Sequence, residues 1–360
     1  MFLKFLRQVK LGRTMKISYF TRSLFKKDWF KQFCLKGACV ILALSAQAVQ
    51  ANAWDDYKAK YLSDEGAVID TGNNNMTHSE GQSYGLMFAV AYNDKDSFDK
   101  ILNWSYANLY DKKTGLFFWA YKRDGGDPVA DKNNATDGDL MIANALFKAA
   151  DKWKNKDYAK KAESLCMNIM ALTLTKYGSY NVIIPAVNGF YYDNYVIINP
   201  SYFIYPALSN IYTKTHLKQF YDLLNDGKKM LFDLKNQRVK LAPDWLKLTP
   251  TDEMIPAEQW PARSSYDAIR VPLYLYWENK NAQELNVWRE WFSKFPEYST
   301  PAWVNVSTGE TASYNMSSGL KAVRDLVMGN PIMEPNIANA EDYYNASLNL
   351  LAYLAYKDQN

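Results

Sequence analysis

From Trp54 onward the apolar positions recur every three and four residues through most of the chain, the repeat of a buried or amphipathic helix. Ten stretches carry it: "EGQSYGLMFAVAYND", "FDKILNWSYANLY", "DGDLMIANALFKAADKW", "YAKKAESLCMNIMALTL", "SYFIYPALSNIYTKT", "HLKQFYDLLNDGKKMLFDL", "SYDAIRVPLYLYWE", "AQELNVWREWFSKF", "SGLKAVRDLV" and "EDYYNASLNLLAYLAYK". A short opening segment, "WDDYKAKYL", makes eleven. Loops of Gly, Pro, Asn and Asp such as "KRDGGDPVADKNN" separate them. Two short β-like pieces are predicted around "GLFFWAYK" and "NGFYYDNYVI".

The predicted helices are of two kinds that alternate. Those starting near Ser79, Thr136, Pro200 and Ser265 are apolar almost all round, and each is followed by one with a stripe of Lys, Asp and Glu. A helix apolar on every face is buried, and one with a charged stripe lies outside. The buried kind recurs at intervals of 57, 64 and 65 residues, as repeated helix hairpins would. Six such pairs close a ring of parallel inner helices and returning outer ones. The predicted fold class is therefore all-α, an (α/α)6 barrel with a few short β pieces in its loops.

The unusual residues fall at equivalent places on the inner helices. Glu80 lies in one first turn; Asp137 and Asp139 open the next; Tyr202 and Asp267 open the third and fourth. Taken singly, each acid is explained by its position. Ser79-x-x-Gln82 reads as a capping box, Thr136-x-x-Asp139 resembles one, and the helix dipole favours acids in a first turn. In parallel inner helices, however, these ends meet at one mouth, and residues far apart in sequence share a cleft.

Charge and cysteine content sharpen the picture. The 360 residues carry a net +4, but residues 1–36 hold ten Lys or Arg and one Asp, so the rest of the chain is net negative. The basic stretch leads into "GACVILALSAQAVQANA", an apolar run ending in a small-x-small cleavage pattern. Residues 1–53 are thus expected to be a signal peptide, residues 54–360 one catalytic domain, and the product periplasmic or secreted with no membrane association. Met15 is an alternative start. Cleavage removes Cys34 and Cys39 and leaves Cys166 in a helical pattern, which argues against a disulfide framework. With two histidines, His78 and His216, far apart, no metal centre is expected. Nucleic-acid binding is not expected either, because the basic cluster is confined to the leader.

Four motifs, in order, resemble glycoside hydrolase family 8. "ATDGDLMIANALFKAADKW" is very similar to its signature A-[ST]-D-[AG]-D followed by an apolar helix; "SEGQSYGL" and "SYDAIRVPLY" look like its two catalytic segments, and "INPSYFIYPAL" like a fourth. The resemblance is strongest to members that cleave β-1,4-glucan beside bacterial cellulose synthases. It implies an (α/α)6 barrel that hydrolyses glycosidic bonds with inversion and without a cofactor. It implies Glu80 as proton donor, Asp267 as general base and Asp137 as the residue holding the sugar at the cleavage point, with Asp139 and Arg270 in the same shell. A β-1,4-glucan chain is the implied partner, and association with the cellulose synthesis and export machinery is compatible with it. The chain is expected to act as a monomer.

That chemistry suits the residues. Breaking a glycosidic bond takes an acid on the leaving oxygen and a carboxylate to activate water. A neutral sugar chain offers no charge to grip, so hydroxyl hydrogen bonds and aromatic faces must hold it. The chain has 27 Tyr and 11 Trp, and Trp119, Tyr202, Trp260 and Tyr266 are the candidates. On this reading Glu80 is kept protonated by burial and by Asp137, and Asp267 is kept ionised by its helix end and Arg270. The alternatives are xylan or chitosan as substrate, a polysaccharide lyase, and a non-catalytic glycan-binding role in cellulose export. A lyase must neutralise uronates, and only six Arg and two His follow Trp54. N-terminal sequencing of the exported protein should begin at Trp54; a start upstream of the apolar run would refute the cleavage assignment.

Overall fold

The computed structural model describes residues 52–234 and 237–360. The expected leader, apart from Asn52 and Ala53, lies outside the described residues. Among these there are eleven α-helices: α1 (Ala53–Tyr61), α2 (Ser79–Ala91), α3 (Lys95–Asn108), α4 (Thr136–Trp153), α5 (Lys156–Thr173), α6 (Tyr205–Thr215), α7 (Lys218–Asp233), α8 (Arg270–Glu278), α9 (Asn286–Phe292), α10 (Ser318–Val327) and α11 (Tyr343–Gln359). The sequence pattern anticipated the same number. Two helices start later than predicted. Tyr202 lies in a 3-10 turn, Pro200–Tyr202, ahead of α6, and Asp267 lies in a turn three residues ahead of α8.

Packing follows the alternation. Helices α2 and α4 are buried on nearly every face and lie against each other, with α3 and α5 against their outer sides. Contacts pass from α4 to α6 and from α6 to α8; α8 meets α10 and α11, and α11 returns to α2. This is the (α/α)6 barrel, closed by the two ends of the described chain. Tyr57 of α1 meets Tyr343 of α11 ring to ring and shares a 3.0 Å hydrogen bond with Ser347. The sixth pair that the sequence left undefined is α1 with α11. Residues 328–342, between α10 and α11, hold only a 3-10 turn, Ile337–Asn339, anchored by buried Ile337.

Short strands brace the mouth. β1 (Thr77–His78), directly before α2, pairs antiparallel with β2 (Ala120–Tyr121), inside the predicted "GLFFWAYK" piece. A hairpin of β3 (Leu174–Tyr177) and β4 (Tyr180–Ile183) follows α5. β5 (Val196–Ile198), at the end of the second predicted piece, pairs with β6 (Leu246–Leu248), which pairs with β7 (Met254–Pro256). β8 (Arg263–Ser264) pairs with β9 (Val304–Asn305). β1, β5 and β8 therefore each fix the stretch that leads toward an inner helix.

The two expected capping boxes are built differently. His78 caps α2, its Nδ1 accepting from Gly81 N–H at 2.9 Å, while Gln82 is wholly buried and ties α2 to its neighbours. Its amide donates to Gly66 O and Ser105 Oγ, and its oxygen accepts from Val68 N–H. At α4, Thr136 Oγ1 donates to Ile184 O and Pro185 O, and Asp139 bonds elsewhere. In both places a tertiary partner outcompetes the local one, because a buried polar group must be satisfied wherever a partner stands.

Glycine sets the gap between α2 and α4. A Cβ on Gly138 would sit 2.9 Å from the Ser79 carbonyl carbon, inside van der Waals contact with backbone that cannot step aside. Gly138→Ala should therefore lower stability by about 1–3 kcal/mol, the usual cost of overpacking. It should also cut turnover, since Glu80 and Asp137 flank this contact. Thermal melting and hydrolysis rates of the variant check this; native values in both would mean the helices can separate freely.

Candidate active site

Glu80 sits in the first turn of α2 and Asp137 in the first turn of α4. Asp267 belongs to the turn before α8, and Arg270 is the first residue of that helix. The structure brings all four together. Arg270 Nη1 lies 3.0 Å from Glu80 Oε2, and Nη2 lies 2.8 Å from Asp267 Oδ1 and 4.0 Å from Asp137 Oδ2. Nη2 also donates to Ser201 Oγ at 3.1 Å, and that hydroxyl donates to Asn199 Oδ1. One guanidinium, almost entirely buried, thus links three carboxylates from three elements of the ring.

These charges decide where protons sit. Burial alone would push Glu80 up, but Arg270, His78 and a hydrogen bond from Asp137 hold it below the usual carboxylate range. Asp137 goes the other way, pushed well above that range by burial and then by the charge of Glu80. Within this close pair the ionised form is favoured on Glu80 and the neutral form on Asp137. Asp267 is raised by burial, with Arg270 opposing and Glu80 adding to the rise. This runs against part of the sequence expectation: Arg270 serves Glu80 as directly as Asp267 and favours its ionised form, where burial and Asp137 were expected to keep it protonated.

Asp139 does not join the cleft as expected. It is fully buried, its Oδ1 accepting from Phe117 N–H and its Oδ2 from the Asn134 side chain, each at 2.8 Å. It anchors the segment leading to Trp119, and burial pushes it up to about 7.

The aromatic candidates fall in three places. Trp260 stacks on Trp245 at 4.5 Å between ring centroids, Trp245 stacks on Phe190, and Tyr202 leans on Trp245 at 6.4 Å. Tyr266 is 42% exposed; its hydroxyl lies 3.4 Å from that of Tyr314, and its carbonyl accepts from Tyr344 Oη. Trp119 donates from its indole to Asp131, and its carbonyl accepts from Ser79 N–H at the start of α2.

Sequence reading missed several neighbours. Tyr84 and Tyr274 meet hydroxyl to hydroxyl at 3.3 Å, four residues after Glu80 and Arg270 respectively. Helical i, i+4 spacing could have found them. Trp245 was missed beside Trp260. His78 and Asp70, 3.3 Å apart beneath Glu80, join only in three dimensions.

A mouth lined with carboxylates and stacked rings at the inner-helix ends of a helical barrel defines a glycan-cleaving hydrolase. The model of glycosyl hydrolases family 8 matches residues 32–358, and the chain belongs to that family. It is 41% identical to an endoglucanase of Cellulomonas uda, over 80% of each chain. It is 37% identical to a probable endoglucanase of Novacetimonas hansenii, over 86% of this chain and 91% of that one. A solved family 8 endoglucanase of Klebsiella pneumoniae superimposes with a TM-score of 0.84 at 42% identity, covering 86% of this chain and 99% of that one.

Asp139 gives a prediction with a definite sign. Its carboxyl moves from the ordinary 3.8 up to about 7 on folding, so the folded state prefers it neutral. Its contribution is complete below about 4 and is lost as pH rises toward about 7. Asp139→Asn, neutral throughout, should make the fall in melting temperature across that window shallower than in the native protein. Equal slopes would mean that Asp139 ionises without cost.

Proposed function

We propose that the protein is an endo-acting β-1,4-glucanase that hydrolyses by single displacement with inversion. The observation that carries the mechanism is the Arg270 bridge between Glu80 and Asp267. Contacts of 3.0 and 2.8 Å to two nitrogens of one guanidinium bring the two carboxylates into one site with the cation between them, and inversion is the outcome that the family resemblance implies. The named endoglucanases, covered over most of their length, support glucan as the substrate over xylan or chitosan.

In this reading Glu80 delivers a proton to the leaving oxygen and Asp267 takes one from water attacking the opposite face of the sugar. Asp137 holds the sugar at the cleavage point. Asp137, whose neutral form is favoured, is the neighbour from which Glu80 can draw the proton it delivers. The Trp260–Trp245–Phe190 stack and the Tyr266 side offer ring faces for neighbouring glucose units. The acidic leader-free domain and the signal-like run before Trp54 support a periplasmic or secreted enzyme cleaved after Ala53. Among the described residues no helix is long and apolar enough to cross a membrane. A role beside a cellulose synthase rests on the motif resemblance, and action as a monomer is a separate proposal.

Glu80→Gln keeps the shape but has no proton to give, so turnover on soluble cellulose derivatives should fall roughly 10²- to 10⁴-fold while oligosaccharide binding survives. Proton NMR of the native enzyme's first product from a β-linked oligoglucoside should show the α-anomer at the new reducing end. An initial β-anomer, or a glycosyl ester trapped on either carboxylate, would make the second carboxylate a nucleophile. Near-native turnover by Glu80→Gln would remove Glu80 from the mechanism.

A further inference from the structure

Asp244 is a buried acid that none of the steps above employs. It lies two residues before β6, in "LAPDWL", and is 9% exposed. Its Oδ1 accepts from Ser265 N–H at 2.9 Å and from Ala268 N–H at 2.8 Å, and its Oδ2 accepts from Ser265 Oγ. Its own backbone N–H donates to Arg263 O at 2.7 Å. These donors bracket Asp267. The turn that carries Asp267 precedes the first helical residue of α8, and the cap residue there, Ile269, offers no side-chain bond. Backbone bonds within the turn, such as Ile269 N–H to Ser265 O at 3.0 Å, and the Tyr344 bond to Tyr266 O are joined from outside by one carboxylate more than twenty residues away, which takes up the free N–H groups of Ser265 and Ala268.

We propose that Asp244 is the positioning residue of the water-activating base. By holding both ends of the 265–268 turn it fixes the reach and direction of Asp267, and its negative charge offsets the pull of Arg270 on that carboxylate. The inference rests on the reading of Asp267 as base. A neutral amide would offer one acceptor oxygen to three donors, and a water would be free to move. A buried carboxylate is costly unless fully bonded, and here three donors bond it. Burial and then the charge of Asp267 push Asp244 up to about 6, and that repulsion is mutual. The other charged or titratable groups around Asp267 are Arg270, Glu80, Tyr202 and Tyr344. Of these, Arg270 alone makes Asp267 a weaker base.

The test compares Asp244→Asn, Asp267→Asn and the double variant on a soluble cellulose derivative, with folding checked by circular dichroism. Asp244→Asn should lose about 10- to 100-fold in kcat, the scale of a small misplacement of a reacting group, with KM nearly unchanged. The acidic limb of its kcat/KM profile should move to lower pH, because Asp267 loses a repelling neighbour. The double variant should be no worse than Asp267→Asn alone, since residues acting through one another are not additive. Native kcat in a folded Asp244→Asn, a raised KM at constant kcat, or additive losses would overturn the proposal. If Asp244→Asn does not fold, Ser265→Ala, which deletes one of the three donors, carries the same readings with a several-fold loss in kcat expected. An active Asp267→Asn would remove the base assignment itself; an inactive one beside a native Asp244→Asn would remove only the role of Asp244.

Discussion

One buried cation faces three carboxylates, and the balance of charge in the mouth of the barrel follows from that ratio. Arg270 is almost inaccessible to solvent and reaches Glu80, Asp267 and, more distantly, Asp137. A guanidinium does not give up its proton, and charges removed from water must be paired closely or neutralised. With a single positive charge to share, the three acids cannot all be ionised cheaply. Geometry sets the order of preference: the closer contact to Arg270 favours the ionised form of Glu80, while burial and the charge of Glu80 favour the neutral form of Asp137. This unequal pairing holds two neighbouring acids at different proton affinities, which the proposed acid–base chemistry requires.

The barrel makes the pairing possible. Inner helices α2, α4 and α8 present the ends from which Glu80, Asp137 and Arg270 project, and the short strands before them remove the freedom of the connecting segments. Gly138 lets α2 and α4 approach until their first turns touch. The helix N-termini add partial positive charge to a cavity crowded with acids. Around this centre the polar groups that a short-range reading assigns to caps are spent on joining elements. Gln82 ties α2 to the α3 side, and Asp139 ties α4 to the loop before Trp119.

The substrate side relies on a different force. The rings proposed to meet a neutral glucan are themselves supported. Trp245 stacks on Phe190 and on Trp260, so the three rings hold one another in nearly parallel planes. Tyr266, on the segment that also carries Asp267, is joined to Tyr314 and Tyr344. The residue proposed to face the sugar and the proposed base therefore lie side by side on one stretch of chain.

The sequence by itself determined the helices and their alternation, because a 3.6-residue apolar repeat and a charged stripe are local properties. It also pointed to Glu80, Asp137 and Asp267, since motifs keep their spacing within one element. It placed Tyr202 and Asp267 inside helices that begin later, where Pro200 and the Asp244 bonds impose turns instead. Tertiary structure alone decided what a polar side chain bonds to once several partners compete. It turned Asp139 from a sugar contact into a buried anchor, made Arg270 the hub, and joined His78 with Asp70 beneath Glu80. Hydrogen bonds and charges reach across the fold, and a proton settles where the sum of burial and neighbouring charge is lowest. No window of consecutive residues contains that sum.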